Sequence, residues 1–272
     1  MATQQPAETI AGAVDDLEYT VLARTSHTPN IIELELAPAD ERLSYRSGQY
    51  VLIGDPDHTL PVRSYSLANA PNPWGRISVL VTEVPGGEMS TWLHRGLRIG
   101  DRVLVSGPYG TFVADPGADG PVLCLAAGSG LAPIRALAED AVRRAGAQRF
   151  TVLFSARTQA DVMNMGRFAS WQRQYPGLRF VRTLTGQAGE PPLGRLPGLL
   201  PALFGDLCGH EVFVAGAPGF VADCARAARG LGARPGHLHT EEFFHERGRG
   251  ALRSQPRCSR ERTGEHDLHQ DR

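Results

Sequence analysis

No lysine occurs anywhere in this sequence; all 28 basic residues are arginine, set against 29 aspartates and glutamates. The resulting net charge of −1 excludes the strongly basic footprint of a nucleic-acid-binding protein. A GC-rich coding sequence accounts for the missing lysine without any selection for arginine chemistry. Either way, an anionic ligand has to be held by arginine, by hydroxyls or by backbone N–H groups.

Cysteine is scarce. Cys124, Cys208, Cys224 and Cys258 form no C-x-x-C pair and no run with iron–sulfur spacing, so no metal centre is expected. Cys124 lies in an apolar, strand-like run, where a buried reduced thiol is usual. No hydrophobic run is long enough to span a bilayer, so no membrane association is expected. The N-terminus has neither the basic region nor the apolar stretch of a secretory signal, and a cytoplasmic setting is expected. Internal repeats are lacking.

What is present divides into two halves, and 272 residues suffice for two domains with a core each. Residues 1–16 are small, polar and slightly acidic, which predicts a flexible leader. Short strands follow at Tyr19–Ala23, Ile31–Leu36, Tyr50–Ile53, Val62–Leu67, Ile77–Val81 and Arg102–Val105. Turn signals separate them, among them Ser47-Gly48, Pro71-Asn72-Pro73 and Ile99-Gly100-Asp101. This spacing predicts an antiparallel six-stranded β-barrel over residues 17–118, with one short helix near Ser90–Arg95.

The Gly-, Pro- and Asp-rich stretch Asp115–Gly120 marks the boundary. Beyond it, over residues 119–245, apolar strands alternate with helices. Strands are predicted at Val122–Ala127, Phe150–Phe154, Leu178–Leu184 and Val212–Ala215, and helices at Pro133–Ala145, Gly166–Gln174 and Pro218–Arg229. That alternation predicts an α/β domain with a parallel sheet covered on both faces. Residues 246–272 hold seven arginines, five acids and few apolar side chains, and a disordered tail is expected.

Several stretches carry chemistry. In Arg63-Ser64-Tyr65-Ser66 a planar guanidinium can hold a flavin phosphate. Tyr65, two residues on, shares its strand face and can pack on the flavin, while Ser66 can reach the ring. The same four residues also suit a plain barrel strand with a surface arginine. In Pro85-Gly86-Gly87-Glu88-Met89-Ser90-Thr91 the glycines let backbone approach a ligand, and Ser90 and Thr91 offer a cap and N–H groups at a helix start. An ordinary turn into a helix, with Met89 in the core, is the alternative.

Gly128-Ser129-Gly130-Leu131-Ala132-Pro133 follows an apolar strand and opens a helix, the context of a dinucleotide pyrophosphate loop. It departs from G-x-G-x-x-G at its last position, where Pro133 suits a first helical turn. A ligand-free strand–helix turn reads the same way. Gly216 and Pro218 form a strand-end turn of the kind at which open sheets bind ligands. Ser155, Arg157 and Thr158 could receive a 2′-phosphate; Asp161 could instead fold back to the ribose. Glu241 and Phe243 place an acid beside an aromatic, able either to serve a flavin ring or to pack as core.

Taken in order, Gly48-Gln49-Tyr50, Arg63 to Ser66, Gly86-Gly87 to Ser90, Gly107-Pro108-Tyr109-Gly110, Gly128 to Pro133 and Glu241 to Phe243 resemble the ferredoxin–NADP reductase superfamily over residues 18–244. Arg-Ser-Tyr-Ser-Leu-Ala-Asn-Ala-Pro and Gly-Pro-Tyr-Gly-Thr-Phe look most like the reductase components of bacterial ring-hydroxylating dioxygenases and multicomponent monooxygenases. The resemblance implies an FAD-dependent NAD(P)H oxidoreductase using NADH or NADPH. It implies that Arg63 holds the flavin phosphate, that Tyr65 packs on the flavin, that Tyr50 contacts the flavin or its adenine end, and that Ser66, Glu241 and Phe243 lie beside its reactive ring. Gly128 to Pro133 would bind the nucleotide pyrophosphate. Where many relatives have a cysteine before the strand-end glycine, this chain has Ala215, and it lacks the cysteines for a fused [2Fe–2S] domain. A monomer working with a separate ferredoxin or oxygenase component is expected. A free-flavin or quinone reductase, and a non-catalytic nucleotide-binding subunit, are the alternatives.

Overall fold

The computed structural model describes residues 13–115, 117, 120–144, 149–186 and 194–243. Most of the expected leader, the expected tail and Cys258 lie outside the described residues.

The first half folds into strands β1 (Val14–Thr28), β2 (Ile31–Pro38), β3 (Tyr50–Gly54), β4 (Arg63–Ser66), β5 (Ile77–Thr82) and β6 (Arg102–Tyr109). They form one sheet in the order β4-β3-β6-β1-β2-β5, antiparallel at every pairing. Its two edges meet at a bridge between Leu67 and Val79 and at Ala68 N–H to Ser78 O, 2.7 Å, which curls the sheet into a barrel. Alternation explains the filling: Tyr19 and Val21, Ile32, Leu34 and Leu36, Val51 and Ile53, Ile77, Val79 and Val81, and Val103 and Val105 all turn inward.

Among the boundaries that differ from expectation, three bear on the site. β1 begins at Val14, so residues 14–16 are strand and not leader; Val14 pairs with Gly107, and a bulge at Asp16 (φ 55°) absorbs the register shift. β6 runs on through Tyr109, because Tyr50 of β3 continues the ladder there. The short helix α1 (Glu88–Thr91) starts before Ser90, because Gly87 is its N-cap.

The second half contains β7 (Val122–Ala127), α2 (Leu131–Arg144), β8 (Phe150–Ala156), α3 (Met165–Gln174), β9 (Leu178–Leu184), α4 (Leu196–Leu203), β10 (Glu211–Gly216), α5 (Pro218–Gly230) and β11 (Leu238–Glu242). The strands form a parallel sheet in the order β11-β10-β7-β8-β9. Both faces are covered, so β7 and, beyond Glu211, β10 read as apolar runs: Cys124 and Ala126 pack toward α2, Leu123 and Leu125 toward α4 and α5.

Sequence patterning anticipates neither α4 nor β11. Pro201 and Gly198 lower helix propensity in α4, and burial of Leu196 and Leu200 overrides it. β11 is an edge strand of mixed polarity, defined by its pairing to β10.

The two halves share a core. Ile31, Ala68, Leu80 and Phe112 of the barrel pack in one cluster with Leu131, Ile134, Leu137 and Phe213. At Gly48 (φ +98°) a Cβ would lie 1.9 Å from the Phe112 carbonyl oxygen, so the barrel loop meets that seam at backbone distance.

Candidate functional site

β4 lies at one end of the barrel sheet, paired to β3 with Tyr50 opposite Ser66 and Ile53 opposite Arg63. Alternation sends its side chains to two faces. Arg63 is exposed and Tyr65 half-buried, packing beside the barrel core with the Arg63 charge near its hydroxyl. Ser64 is exposed, while Ser66, on Ser64's face, is buried and donates a hydrogen bond to Glu241 Oε1 on β11. That bond joins the two residues expected beside the flavin ring, although they are far apart in sequence.

Glu241 sits opposite Ala215 at the end of the parallel sheet. The residue keeps some exposed surface, but packed atoms surround its carboxyl group; this burial pushes its pKa up to about 7, and the Ser66 hydroxyl opposes the rise. Tyr50 belongs to the same cluster. Burial, and then the Glu241 charge, raise its pKa; its ring tilts against Tyr109 with centroids 5.7 Å apart. Gly110 (φ +94°) leaves room for it, since a Cβ there would come within 2.9 Å of that ring. Phe243, half-buried, follows on the same strand end, its N–H donating to Gly216 O at 2.9 Å.

The Gly128–Gly130 turn lies at the C-terminal end of the central strand β7, where open sheets take their ligands. Gly128 (φ +57°) has nothing within 4 Å of a built Cβ, so its backbone is open to approach. Gly130 is tight: a Cβ would lie 2.3 Å from Ala215 O and 2.7 Å from Gly216 N, which locks this turn to the β10 strand end. Leu131, Ala132 and Pro133 are buried, leaving main-chain groups as what they can offer a ligand. Ser129 Oγ accepts a bond from Thr82 Oγ1 of the barrel at 2.9 Å. Gly216 and Pro218 carry the chain from β10 into α5, with Pro218 in its first turn.

Ser155 pairs alongside Ala127 at the end of β8, and Arg157 is exposed just beyond it, its stem against Gly186. Asp161 accepts bonds from Thr158 N–H (2.9 Å) and Thr158 Oγ1 (2.8 Å). It closes a capping box, so its carboxylate is engaged locally with Thr158.

The Gly87–Thr91 stretch departs from expectation. Met89 is 1 % exposed and belongs to the barrel core, so its side chain holds no ligand. The Ser90 hydroxyl accepts from Val84 N–H and donates to Gly87 O, both at 3.1 Å, tying the loop together instead of capping a helix start. Thr91 is exposed, its N–H committed to Gly87 O. Gly86 (φ +78°) alone leaves open space there.

Sequence reading missed a buried polar centre beside the site. Arg135, wholly buried, donates through Nη2 and Nη1 to the two carboxylate oxygens of Glu33 at 2.6 and 2.8 Å. An arginine set among the apolar residues of the first half of α2 was the available signal; its partner on β2 carried none.

Residues 17–113 match the oxidoreductase FAD-binding domain family, and residues 124–226 match the oxidoreductase NAD-binding domain family. A ferredoxin–NADP reductase from Sorangium cellulosum is 30% identical over 245 residues, covering 84% of this chain and 98% of that one. The chain belongs to the ferredoxin reductase family. This reductase is an FAD-dependent NAD(P)H oxidoreductase. It is also 30% identical to the reductase component 1 of a Comamonas terephthalate 1,2-dioxygenase, over 82% of its own length and 67% of that relative's. The crystal structure of an Amycolatopsis cytochrome P450 reductase superposes with a TM-score of 0.79 at 30% identity, covering 85% of this reductase and 70% of that chain.

Proposed function

We propose that this reductase passes electrons from NADH or NADPH, through FAD, to a separate ferredoxin or oxygenase component, and that Ser66, Glu241 and Phe243 line the place of hydride transfer. The observation that carries the reading is the Ser66–Glu241 hydrogen bond. It brings the strand proposed to hold flavin against the end of the nucleotide domain's sheet.

The residues suit the cofactor by their chemistry. Arg63 offers an exposed guanidinium for a phosphate, and Tyr50 and Tyr65 offer aromatic surface. The turn at Gly128 offers open backbone. Bound FAD supplies the hydride-accepting ring and can release electrons one or two at a time.

The chain's own residues bind, orient and exclude water. The Gly128–Pro133 turn receives the nucleotide pyrophosphate on the backbone N–H groups that precede Pro133, with Ser155 and Arg157 beside the adenosine ribose. Ser66 Oγ–H donates to Glu241 Oε1 at the seam, and Phe243 follows Glu241 by two residues at the same strand end. Reductase-component relatives named for a terephthalate dioxygenase and a naphthalene dioxygenase/salicylate hydroxylase system support a protein acceptor. The free thiols of Cys124 and Cys224, both buried, fit a reducing cytoplasm, and the reductase is read as a monomer. Among the described residues no helix is long and apolar enough to cross a membrane.

The test is the visible spectrum of the purified protein, chromatography of its released cofactor, and anaerobic addition of NADH and NADPH. A yellow protein that releases FAD and bleaches with either nucleotide is expected, followed by reoxidation on adding a purified ferredoxin or oxygenase component. Release of FMN, or bleaching that no protein acceptor reverses, refutes the corresponding part.

A further inference from the structure

Three side chains of α2, spaced four apart, reach across the seam to one short piece of barrel backbone. Arg135 donates from Nε to the Ala68 carbonyl. Glu139 Oε2 accepts from Ala70 N–H at 3.0 Å. Arg143 donates from Nη1 to the Pro71 carbonyl. Residues at i, i+4 and i+8 form one row along a helix, so a single stripe grips Ala68 to Pro71 along its length. This backbone continues β4, with Ala68 two residues beyond Ser66.

Each grip is braced. Arg135 is held by both Glu33 oxygens and by Asn164 Oδ1 at 3.1 Å, and His27 Nε2 meets Glu33 Oε2 at 2.8 Å. Arg143 also pairs with Glu139 Oε1. The helix carrying this stripe begins at Leu131, immediately after the Gly128–Gly130 turn. One rigid element therefore bears the nucleotide turn at its start and the continuation of the flavin strand along its flank.

Apolar packing holds two domains together at least as firmly as a buried ion pair does. Directional bonds to named backbone atoms add what apolar contact lacks, a fixed spacing and register. We propose that the Arg135–Glu139–Arg143 stripe sets the separation of nicotinamide and flavin, with Arg135 a positioning residue that acts through the Ala68 carbonyl. The inference rests on the hydride-transfer reading of this site and not on the identity of the acceptor. In that step two electrons and a proton leave the dihydronicotinamide, which is oxidised, for the flavin, which is reduced. Misplacement by about 1 Å can cost such a step on the order of 10²-fold.

The test compares flavin-loaded wild type with two sets of variants. Arg135→Met combined with Glu33→Leu removes both charges of the buried pair and keeps apolar volume. Glu139→Ala removes the acceptor for Ala70 N–H, and Glu139→Gln keeps it. Without nucleotide, amide exchange across Ser66–Ala70 is expected to quicken in the double variant and in Glu139→Ala. At saturating NADH or NADPH the single-turnover rate of flavin bleaching is expected to fall about tenfold or more in the double variant. The nucleotide dissociation constant should shift by less than about threefold, and Glu139→Gln should restore what Glu139→Ala loses.

An unchanged bleaching rate in the double variant and in Glu139→Ala overturns the proposal, as does loss of nucleotide affinity in parallel with rate. If the double variant fails to fold, the Glu139 pair decides alone. A wild type that neither nucleotide bleaches sinks the hydride-transfer reading itself, a result separate from any behaviour of the variants.

Discussion

At the scale of single residues, Glu241 is a group whose charge state near neutral pH is set by the fold. Its pKa stands near 7 in the folded flavin-free protein against an ordinary 4.5, so the folded state binds a proton that the unfolded chain has released. The unfolded chain thus holds fewer protons between those values, and this carboxyl's contribution to stability declines as pH rises from about 4.5 to about 7. Fully ionised, it costs the fold roughly 3 kcal/mol as an upper bound. Glu241→Gln should therefore gain stability over wild type at pH 8 but not at pH 4, read from urea midpoints of the flavin-free proteins. An unchanged difference between those two pH values would count against a buried, proton-holding Glu241.

Arg63 and Arg157 make the complementary residue-scale predictions, since both are exposed and neither supports a core. Arg63→Ala should lower flavin affinity by about 1.5–3 kcal/mol, roughly ten- to hundredfold, with the melting temperature of the flavin-free protein little changed. Equilibrium dialysis against FAD measures it. Arg157→Ala should lower the ratio of kcat/KM for NADPH over NADH; an unmoved ratio means the 2′-phosphate lies elsewhere. Because Asp161 is tied into its own capping box, wild-type discrimination between the two nucleotides is expected to stay below roughly a hundredfold.

At the scale of elements, the Gly128–Gly130 turn, proposed to receive pyrophosphate, is also a packing device. A methyl at position 130 would drive into the Ala215 carbonyl at 2.3 Å, where backbone cannot give way cheaply. Gly130→Ala is expected to cost about 1–3 kcal/mol in urea unfolding and to weaken nucleotide binding, by pushing β7 and β10 apart. Gly86→Ala meets nothing within 4 Å but must hold φ +78°, so a smaller cost of about 1 kcal/mol is expected. Elements with a clear period were legible in the sequence, as the alternating barrel strands and the helical face of α2 show. α4 and β11 were not, because one relies on packing against α5 and the other on pairing to β10.

At the scale of the whole molecule, the two halves should unfold as one unit, since a single apolar cluster and the Arg135–Glu33 pair cross between them. The His27 and Arg135 hydrogen bonds and the Arg135 charge hold Glu33 well below the usual carboxylate range against its burial. Its stabilising contribution is therefore present above about pH 4.5 and lost as acid protonates it. Glu33→Gln leaves a buried guanidinium without its counter-charge and should cost about 3–5 kcal/mol at pH 7. The same change should flatten the acid limb of the stability profile, measured by urea unfolding between pH 3 and pH 7.

The sequence by itself determined the two architectures and marked the motifs from which the candidate site is drawn. Strand alternation, the change to strand–helix rhythm after Gly120, and short motifs such as Arg63–Ser66 and Gly128–Pro133 are local properties, written in side-chain period and backbone freedom. Tertiary structure decided which of those residues meet. The Ser66–Glu241 bond, the burial of Met89, the diversion of the Ser90 hydroxyl and the Arg135–Glu33 pair depend on where distant segments come to rest. A one-dimensional pattern reports which face of an element is apolar; it carries no information about which charged group on another element will lie opposite.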